Sequence, residues 1–158
     1  MGDQFAQLEK TGVINICGVD KKGLPMIVVA ACRFPLNTSD EHHQLFGFIQ
    51  AKLDAYVASD YSVVYFHHGY TKANKPSLKY LKQVYASFDR KYKKNIKRLV
   101  VVHPTGWMKT VWMFLKPFIS AKFGQKVVYV NHLSELNEWC YLNQLSIPVE
   151  VKNFDDKK

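Results

Sequence analysis

The chain has 158 residues, a length typical of one domain, and 47% of them are hydrophobic, which is enough for a buried core. No apolar run is long enough to span a membrane, the mean hydropathy is -0.19, and the first ten residues lack the apolar segment of a secretory signal. The net charge of +9 indicates an acidic partner, an anionic membrane surface or nucleic acid, without deciding between them.

The first third of the chain predicts two strands and a helix. Residues 12–18 and 26–34 are rich in Val and Ile and flank a short turn, so they are predicted to pair as an antiparallel hairpin. Residues 1–11 before them are predicted to form a flexible lead-in. Thr38 followed by Glu41 is a capping-box pattern, which predicts that a helix begins there.

The rest of the chain alternates strands with helices. Buried strands are predicted at 61–67, 97–102 and 126–130, and helical patterns lie between them. An irregular tail is predicted from Ile147, with 155–158 as the start of a linker. This order favours an α/β fold with a mainly parallel five-stranded sheet, helical cover and one antiparallel strand at the edge.

One of the helical segments is unusually apolar. At about 100° per residue, its large side chains cover nearly half of the helix circumference: Trp107, Met108, Val111, Trp112, Phe114, Leu115, Phe118 and Ile119. Pro117 interrupts the same segment and should kink or break it. Such a helix between two buried strands fits either a cover over an apolar cavity or an ordinary core helix with a proline kink.

Residues that could carry catalysis or bind a metal form no recognisable pattern. The pairs His42–His43 and His67–His68 direct their side chains apart, and no Cys or His lies beside them at a metal-ligand spacing. The sequence has no nucleophile elbow, Walker loop or dinucleotide-binding glycine turn. We therefore predict no enzymatic activity, no cofactor and no metal. Three cysteines without a CxxC pair indicate a reducing intracellular compartment.

The strongest charge signal is a basic stretch of six cations within nine residues: Arg90, Lys91, Lys93, Lys94, Lys97 and Arg98. It could be a solvated helix end, where the helix dipole favours cations, or a contact surface for an acidic protein or an anionic lipid headgroup. Nucleic acid is the weakest alternative, because the stretch lacks exposed aromatic residues for base stacking and no nucleic-acid motif surrounds it.

Several short motifs resemble a known family. They lie at 74–78, 88–97, 102–105, 122–126 and 133–136, around the tryptophan-rich segment. Together they make residues 12–154 similar to the BCH domain, a variant of the CRAL-TRIO lipid-binding fold that precedes the catalytic domain in Rho GTPase-activating proteins. The resemblance implies a gate helix over an apolar pocket that could hold a lipid or a prenyl group, with pocket and gate residues Trp107, Met108, Val111, Trp112, Leu115, Phe118 and Ile119.

The same resemblance implies a non-catalytic scaffold that binds Rho-family small GTPases and controls a neighbouring GTPase-activating domain. The GTPase-contacting region would be Arg33, Phe34, Leu36, Asn37, Asp40, Glu41, His42 and His43, although these residues could also be a plain strand-to-helix connection. Phe34, Leu36 and Asn37 depart from the family's usual Met-Pro-Pro-Ser form, so partner preference stays open.

Further expectations concern assembly and location. The resemblance implies a homodimer formed through strand or helix exchange, and a cytoplasmic protein that could bind anionic membrane lipid at a membrane surface. No nucleic-acid partner is expected. The alternative function is a lipid-binding or lipid-transfer module that recognises phospholipid at membranes.

Overall fold

The computed structural model describes residues 2–35, 39–56, 58–71, 74, 77–87 and 90–158. Its centre is one sheet of five strands, which lie side by side in chain order: β1 (Ile14–Val19), β2 (Pro25–Ala30), β3 (Tyr61–Phe66), β4 (Ile96–Val102) and β5 (Val127–Val130). β1 pairs antiparallel with β2, and the other three neighbouring pairs are parallel. The predicted mainly parallel sheet with an antiparallel edge strand is confirmed.

Helices flank and connect these strands. The α-helices are α1 (Gly2–Thr11), α2 (Ser39–Asp54), α3 (Leu78–Ser87), α4 (Arg90–Asn95), α5 (Gly106–Leu115), α6 (Ala121–Gly124) and α7 (Val149–Asp156). Short 3₁₀ helices occupy Ala31–Arg33, Lys116–Phe118, Leu133–Glu138 and Leu142–Gln144. The apolar helix α5 ends before Pro117, which lies in a 3₁₀ turn, so the predicted break at this proline is confirmed.

The strand order decides which face of the sheet the connecting helices cover. Each parallel strand lies beside the preceding one, and crossovers of this kind are right-handed, so successive crossovers fall on the same face. We call this the helical face. Its core includes Ile27, Tyr61 and Ile96 from the strands, packed with Leu45 and Phe48 of α2.

The opposite face, which we call the C-terminal face, is covered by the chain after β5. Successive side chains of a strand point to opposite sides, so Val64 and Phe66 of β3 face this way while Val63 and Tyr65 face the helices. The segment that covers them contributes four buried side chains, from one 3₁₀ helix, from the residue that follows the next 3₁₀ helix and from α7: Leu133, Leu136, Leu145 and Val151. Both faces of the parallel sheet are therefore covered, as such sheets require.

Both ends of the chain form helices that the sequence pattern did not indicate. The expected flexible lead-in is the helix α1, which buries Leu8 in the core of the helical face. The expected irregular tail is largely the helix α7, and Asp155, predicted to begin a linker, belongs to it. Short helices of this kind are stabilised by tertiary packing rather than by a long apolar period, which is why the pattern did not reveal them.

Residues 76–92 carry an apolar stripe at helical spacing that includes Tyr92, which predicts a helix, and the described residues of this range form α3 and α4. Tyr92, expected on the apolar stripe of that helix, is buried, and the hydroxyl of Tyr61 donates to its backbone oxygen at 2.6 Å. This contact holds α4 against the start of β3. Lys93 and Lys94 therefore belong to a short helix that is fixed in place and leads directly into β4.

Candidate functional site

An apolar cavity of about 280 Å³ lies on the helical face, between the sheet and the crossover helices. Strands and helices supply most of its walls, and two loop residues complete them: Val29, Val63, Tyr65, Leu99, Phe46, Ile49, Leu81, Met108, Val111, Phe34 and Tyr70. Its lining is almost entirely apolar, which suits a hydrocarbon chain.

The beginning of α5 is tied to the sheet by a short hydrogen-bonded chain. His67, directly after β3, is bonded through Nδ1 to the Tyr65 hydroxyl at 3.1 Å and through Nε2 to the Thr105 hydroxyl at 3.0 Å. Thr105 immediately precedes the first turn of α5. Because His67 is only 1% exposed, burial, assisted by the neighbouring His68, lowers its pKa to about 4. At pH 7 His67 is therefore neutral, with one donor and one acceptor nitrogen.

Aromatic side chains form the cavity wall nearest the carboxyl ends of the strands. The Phe34 ring stacks on Tyr65 with centroids 6.3 Å apart and meets the edge of Tyr70 at 6.4 Å. Burial raises the pKa of the Tyr70 phenol, and a hydrogen bond from the Trp107 side chain partly offsets this. Phe34 is thereby held in place as part of the cavity wall.

The turn after β3 contains Gly69, which lets this loop approach the segment that carries Phe34. Gly69 has a φ of +95°, and a Cβ there would lie 2.5 Å from the Cβ of Cys32, so only glycine fits without displacement. The Asn74 side chain donates to the backbone oxygen of Gly69 at 2.9 Å and to that of Ala31 at 3.4 Å. The loop after β3 and the 3₁₀ helix before Phe34 are thus fastened to each other.

Only part of the predicted pocket and gate set lines this cavity. Met108 and Val111 line the cavity. Met108 also lines an open groove of about 760 Å³ beside β5, together with Trp112, which does not reach the cavity. Leu115 and Ile119 are half-buried. Phe118 is 49% exposed, and the Lys82 ammonium lies 4.0 Å from its ring centroid. The apolar side chains of residues 107–119 are therefore shared between a cavity, a groove and solvent.

The predicted GTPase-contacting residues are only partly described. Leu36 and Asn37 lie outside the described residues, as do the side chains of Asp40, Glu41, His42 and His43. Phe34 lines the cavity. Arg33 forms a two-point ion pair with Glu150 of α7, with N–O distances of 2.5 and 3.0 Å.

The predicted basic surface is divided between two places. Lys93, Lys94 and Lys97 line a cleft of about 670 Å³, which two lysines from the segment before β5 complete: Lys122 and Lys126. Arg98 instead lies 5.2 Å from the ring centroid of Trp139, towards the C-terminal face. The side chains of Arg90 and Lys91 lie outside the described set.

The cleft concentrates positive charge. Burial lowers the pKa of the Lys126 ammonium, and the nearby Lys97 and Lys122 lower it further, against the opposite effect of Asp60. Two of its N–H donors are used on the backbone oxygens of Lys93 and Lys94, at 2.8 and 3.2 Å. The cleft could therefore attract an anionic group, although part of its charge serves the fold.

Most cavity-lining residues were not singled out by sequence reasoning. Val63 and Tyr65 could have been found from the alternation of β3, because they share the face opposite Val64 and Phe66. The others come from separate segments, and no local pattern brings them together.

Within the described part of the chain, no group of three or more His, Cys, Asp or Glu residues could hold a metal ion. The same described ranges contain no helix that is both long and apolar enough to cross a membrane. The three cysteines are unpaired thiols, and burial raises the pKa of Cys140 to about 11, which keeps it in the unreactive thiol form.

Similarity to known proteins covers nearly the whole chain. The profile of the family described as Divergent CRAL/TRIO domain matches residues 23–157. The chain belongs to this family. The domain is 49% identical over 154 residues to Rho GTPase-activating protein 1 of Homo sapiens, across 98% of this chain and 35% of that protein.

Two further relatives carry similar names. The chain is 43% identical to Rho GTPase-activating protein 8 of Mus musculus, across 97% of this chain and 36% of that protein. It is 41% identical to Rho GTPase-activating protein 68F of Drosophila melanogaster, across 90% of this chain and 30% of that protein. The chain thus spans about a third of the length of these curated relatives. This agrees with the BCH-type CRAL-TRIO domain of a Rho GTPase-activating protein that the sequence motifs indicated.

Proposed function

We propose that this domain is a non-catalytic scaffold that binds a Rho-family small GTPase, controls a neighbouring GTPase-activating domain, and takes the prenyl group of the GTPase into its cavity. The names of the relatives support the class of partner. The observation that carries the proposal is a juxtaposition: Phe34, from the segment assigned to GTPase contact, lines the same cavity as Met108 and Val111 of α5. A GTPase bound at Phe34 would bring its lipid to the cavity mouth.

The size of the cavity adds a requirement. Farnesyl and geranylgeranyl chains have about 15 and 20 carbons, and the cavity of about 280 Å³ is open on one side. The far end of such a chain would extend beyond the cavity, or α5 would move outward to admit it. α5 has no fully buried residue, so moving it would break few core contacts.

Binding measurements with matched GTPases test the proposal. The geranylgeranylated and unmodified forms of one Rho-family protein would be titrated against the chain by calorimetry. We expect the lipid to tighten binding at least about tenfold, because each buried methylene contributes roughly 0.8 kcal/mol. Phe34→Ala should weaken both forms, since Phe34 is proposed to contact protein as well as lipid.

A variant whose cavity is filled by a larger side chain tests whether the lipid binds in the cavity. Val63→Phe places a larger side chain in the cavity and should remove the gain from the lipid while preserving binding of the unmodified GTPase. Val149→Phe makes the same substitution at a site that is 61% exposed and should change neither. If the wild-type chain binds the two GTPase forms with equal affinity, the claim that the cavity takes up the prenyl group is rejected. If it binds neither form, the claim of GTPase binding is rejected as well.

A second candidate function is phospholipid binding at membranes, and the surface around α5 favours it. Met113, Phe114 and Phe118 are 76%, 41% and 49% exposed, an unusual amount for large apolar side chains close in sequence. The exposed Lys109 and Lys116 flank them. Apolar side chains bordered by lysines are typical of segments that lie in a membrane interface.

Vesicle sedimentation distinguishes this candidate from the first. Vesicles of phosphatidylcholine with phosphatidylserine should bind the chain more than vesicles of phosphatidylcholine alone, because lysines favour anionic lipid. Met113→Ser with Phe114→Ser should abolish sedimentation, and Tyr141→Ser, at an exposed site on a different segment, should preserve it. No sedimentation with either vesicle would reject the membrane function without affecting GTPase binding.

We also propose self-association through strand or helix exchange. β1 and β5 are the edges of the sheet, and Tyr129 of β5 is 46% exposed. Open strand edges are sites where chains pair. Light scattering during size exclusion would show a mass twice that of the monomer, and a monomer at all concentrations would reject this proposal.

A further inference from the structure

The lysine cleft is the space of about 670 Å³ whose lining includes five lysines: Lys93, Lys94, Lys97, Lys122 and Lys126. α4 and the start of β4 form one wall, and the segment between α5 and β5 forms the other. The Lys126 ammonium reaches across and donates to the backbone oxygens of Lys93 and Lys94 at 2.8 and 3.2 Å. The rings of Tyr85 and Phe123 meet edge to face, with centroids 5.6 Å apart. The cleft is therefore preformed, so a ligand that enters it orders little of the chain.

Much of the positive charge in the lysine cleft is not neutralised within the described residues. Lys97 is paired with Asp60 at 3.5 Å. Lys94 and Lys122 are exposed, and their side chains form no ion pair or hydrogen bond with another described residue. Burial, and then the nearby Lys97 and Lys122, lower the pKa of the Lys126 ammonium. An anion bound among these ammonium groups would relieve their mutual repulsion.

The lining of the lysine cleft suits phosphate better than carboxylate. All the described cations that line it are lysines. A lysine ammonium binds phosphate as a point charge, whereas two-point recognition of a carboxylate is typical of arginine. The volume lies in the range of small-molecule sites, roughly 300–1,000 Å³. Because Tyr85, Phe118 and Phe123 add aromatic surface beside the lysines, the cleft fits a compact ring that carries several phosphate groups.

Phe118 connects the lysine cleft to the exposed apolar surface around α5. Its side chain lines the cleft and is nevertheless 49% exposed. Phe114, one helical turn earlier, and Met113 are 41% and 76% exposed. If these side chains entered a membrane interface, the cleft would lie at the level of the lipid headgroups. This position favours a phosphate group that belongs to a lipid over one that is free in solution.

We propose that the lysine cleft binds the phosphate groups of a phosphorylated inositol lipid headgroup while Phe118 and its apolar neighbours contact the bilayer. Lys94 and Lys122 bind the phosphates from opposite walls. The Ser120 oxygen accepts from the Phe123 N–H at 3.1 Å, and the Ser120 hydroxyl can donate its proton to a phosphate oxygen. The assignment to a lipid rests on the second candidate function, membrane binding, whereas the phosphate site itself does not.

Calorimetry with soluble inositol trisphosphate tests the phosphate site without a membrane. Lys94→Gln with Lys122→Gln removes two charged contacts and should weaken binding by about tenfold or more. Lys126 is left unchanged because it holds the two walls together. Lys152→Gln with Lys157→Gln removes the same charge from exposed sites on α7 and should weaken binding by less than about twofold. Equal losses in the two double variants, or no binding by the wild-type chain, would overturn the phosphate site.

Vesicle sedimentation tests the source of the phosphate. At equal total charge, phosphatidylcholine vesicles with phosphatidylinositol bisphosphate should bind more of the chain than those with phosphatidylserine. Lys94→Gln with Lys122→Gln should remove this difference. Met113→Ser with Phe114→Ser should abolish sedimentation with both vesicles and preserve binding of soluble trisphosphate. Equal sedimentation of the wild-type chain with the two vesicles would overturn the assignment to a lipid.

The outcomes separate this site from the membrane function on which its lipid source rests. A chain that sediments with phosphatidylserine vesicles but binds no trisphosphate would overturn the phosphate site and leave the membrane function standing. A chain that binds trisphosphate through Lys94 and Lys122 but sediments with no vesicle would overturn the membrane function and the lipid source, and would support the phosphate site.

Discussion

The two faces of the sheet are covered in opposite ways. The helical face carries the longer helices, yet α3 and α5 have no fully buried residue, and the cavity lies beneath them. The C-terminal face is covered mostly by 3₁₀ turns and one short helix, yet its core is closed by buried residues such as Leu136 and Val151. The cavity therefore lies beneath regular helices, whereas the less regular cover of the C-terminal face is closed.

The difference follows from the chain order of the strands. Right-handed crossovers place α2, α3 and α5 on one face, where rigid helices must share the sheet and leave space between them. Residues 131–158, after β5, contain no strand and form short helical turns that can follow the sheet surface. A binding cavity is thus expected on the side with the rigid helices.

The largest effect should come from truncating a residue of the closed face. Leu136 is fully buried, so Leu136→Ala should lower the free energy of unfolding by about 2–5 kcal/mol. Met108→Ala, which enlarges an existing cavity, should cost less than about 1.5 kcal/mol. Urea denaturation of both variants measures the contrast, and equal losses would show that the two faces are equally well packed.

Acid should lower the free energy of unfolding through His67, which lies on the helical face beside the start of α5. Its pKa is lowered to about 4 in the folded state against about 6.5 when unfolded, so the unfolded chain binds more protons between these values. Stability is full above pH 6.5 and falls as the pH drops towards 4, by about 2 kcal/mol between pH 7 and pH 5.

His67→Gln removes the titrating group while keeping a side chain that can bond Thr105. Urea midpoints from pH 7 to pH 5 should therefore decline less in this variant than in wild type. Glu150 and Asp155, whose pKa values are lowered, lose their contribution only at lower pH and in both proteins. Parallel curves for the two proteins would contradict the assignment to His67.

Two neighbouring valines of β3 provide the closest comparison of the faces. Val64→Leu adds a methylene to the closed face and should cost about 1–3 kcal/mol. Val63→Leu adds the same group to the cavity and should be neutral or stabilising by up to about 1 kcal/mol. Thermal unfolding measures both, and the opposite ranking would mean that the cavity is not available to side chains.

The smallest effect is expected at α1. Glu9→Gln breaks the partly exposed pair with Lys52 and should cost less than about 0.5 kcal/mol, whereas Leu8→Ala, at a buried site of the helical face, should cost more. Urea denaturation of the two variants decides whether packing or charge holds this helix. A larger loss in Glu9→Gln would reverse that conclusion.

Features with a local cause were predictable from sequence. Strand alternation placed Val63 and Val64 on opposite faces, and Pro117 ended the apolar helix. The cavity was not assignable residue by residue, because Leu99, Ile49 and Phe34 approach one another only through the tertiary fold. The Arg33–Glu150 pair was equally hidden, since no pattern joins groups so distant in sequence.

The position along the chain of the segment that covers the C-terminal face has a consequence for synthesis. Residues 133–151, which close the C-terminal face, are made after all five strands, so a nascent chain displays one apolar side of its sheet until they leave the ribosome. Folding intermediates with that side uncovered should bind chaperones. Premature termination before Leu133 should yield aggregates rather than a smaller folded domain.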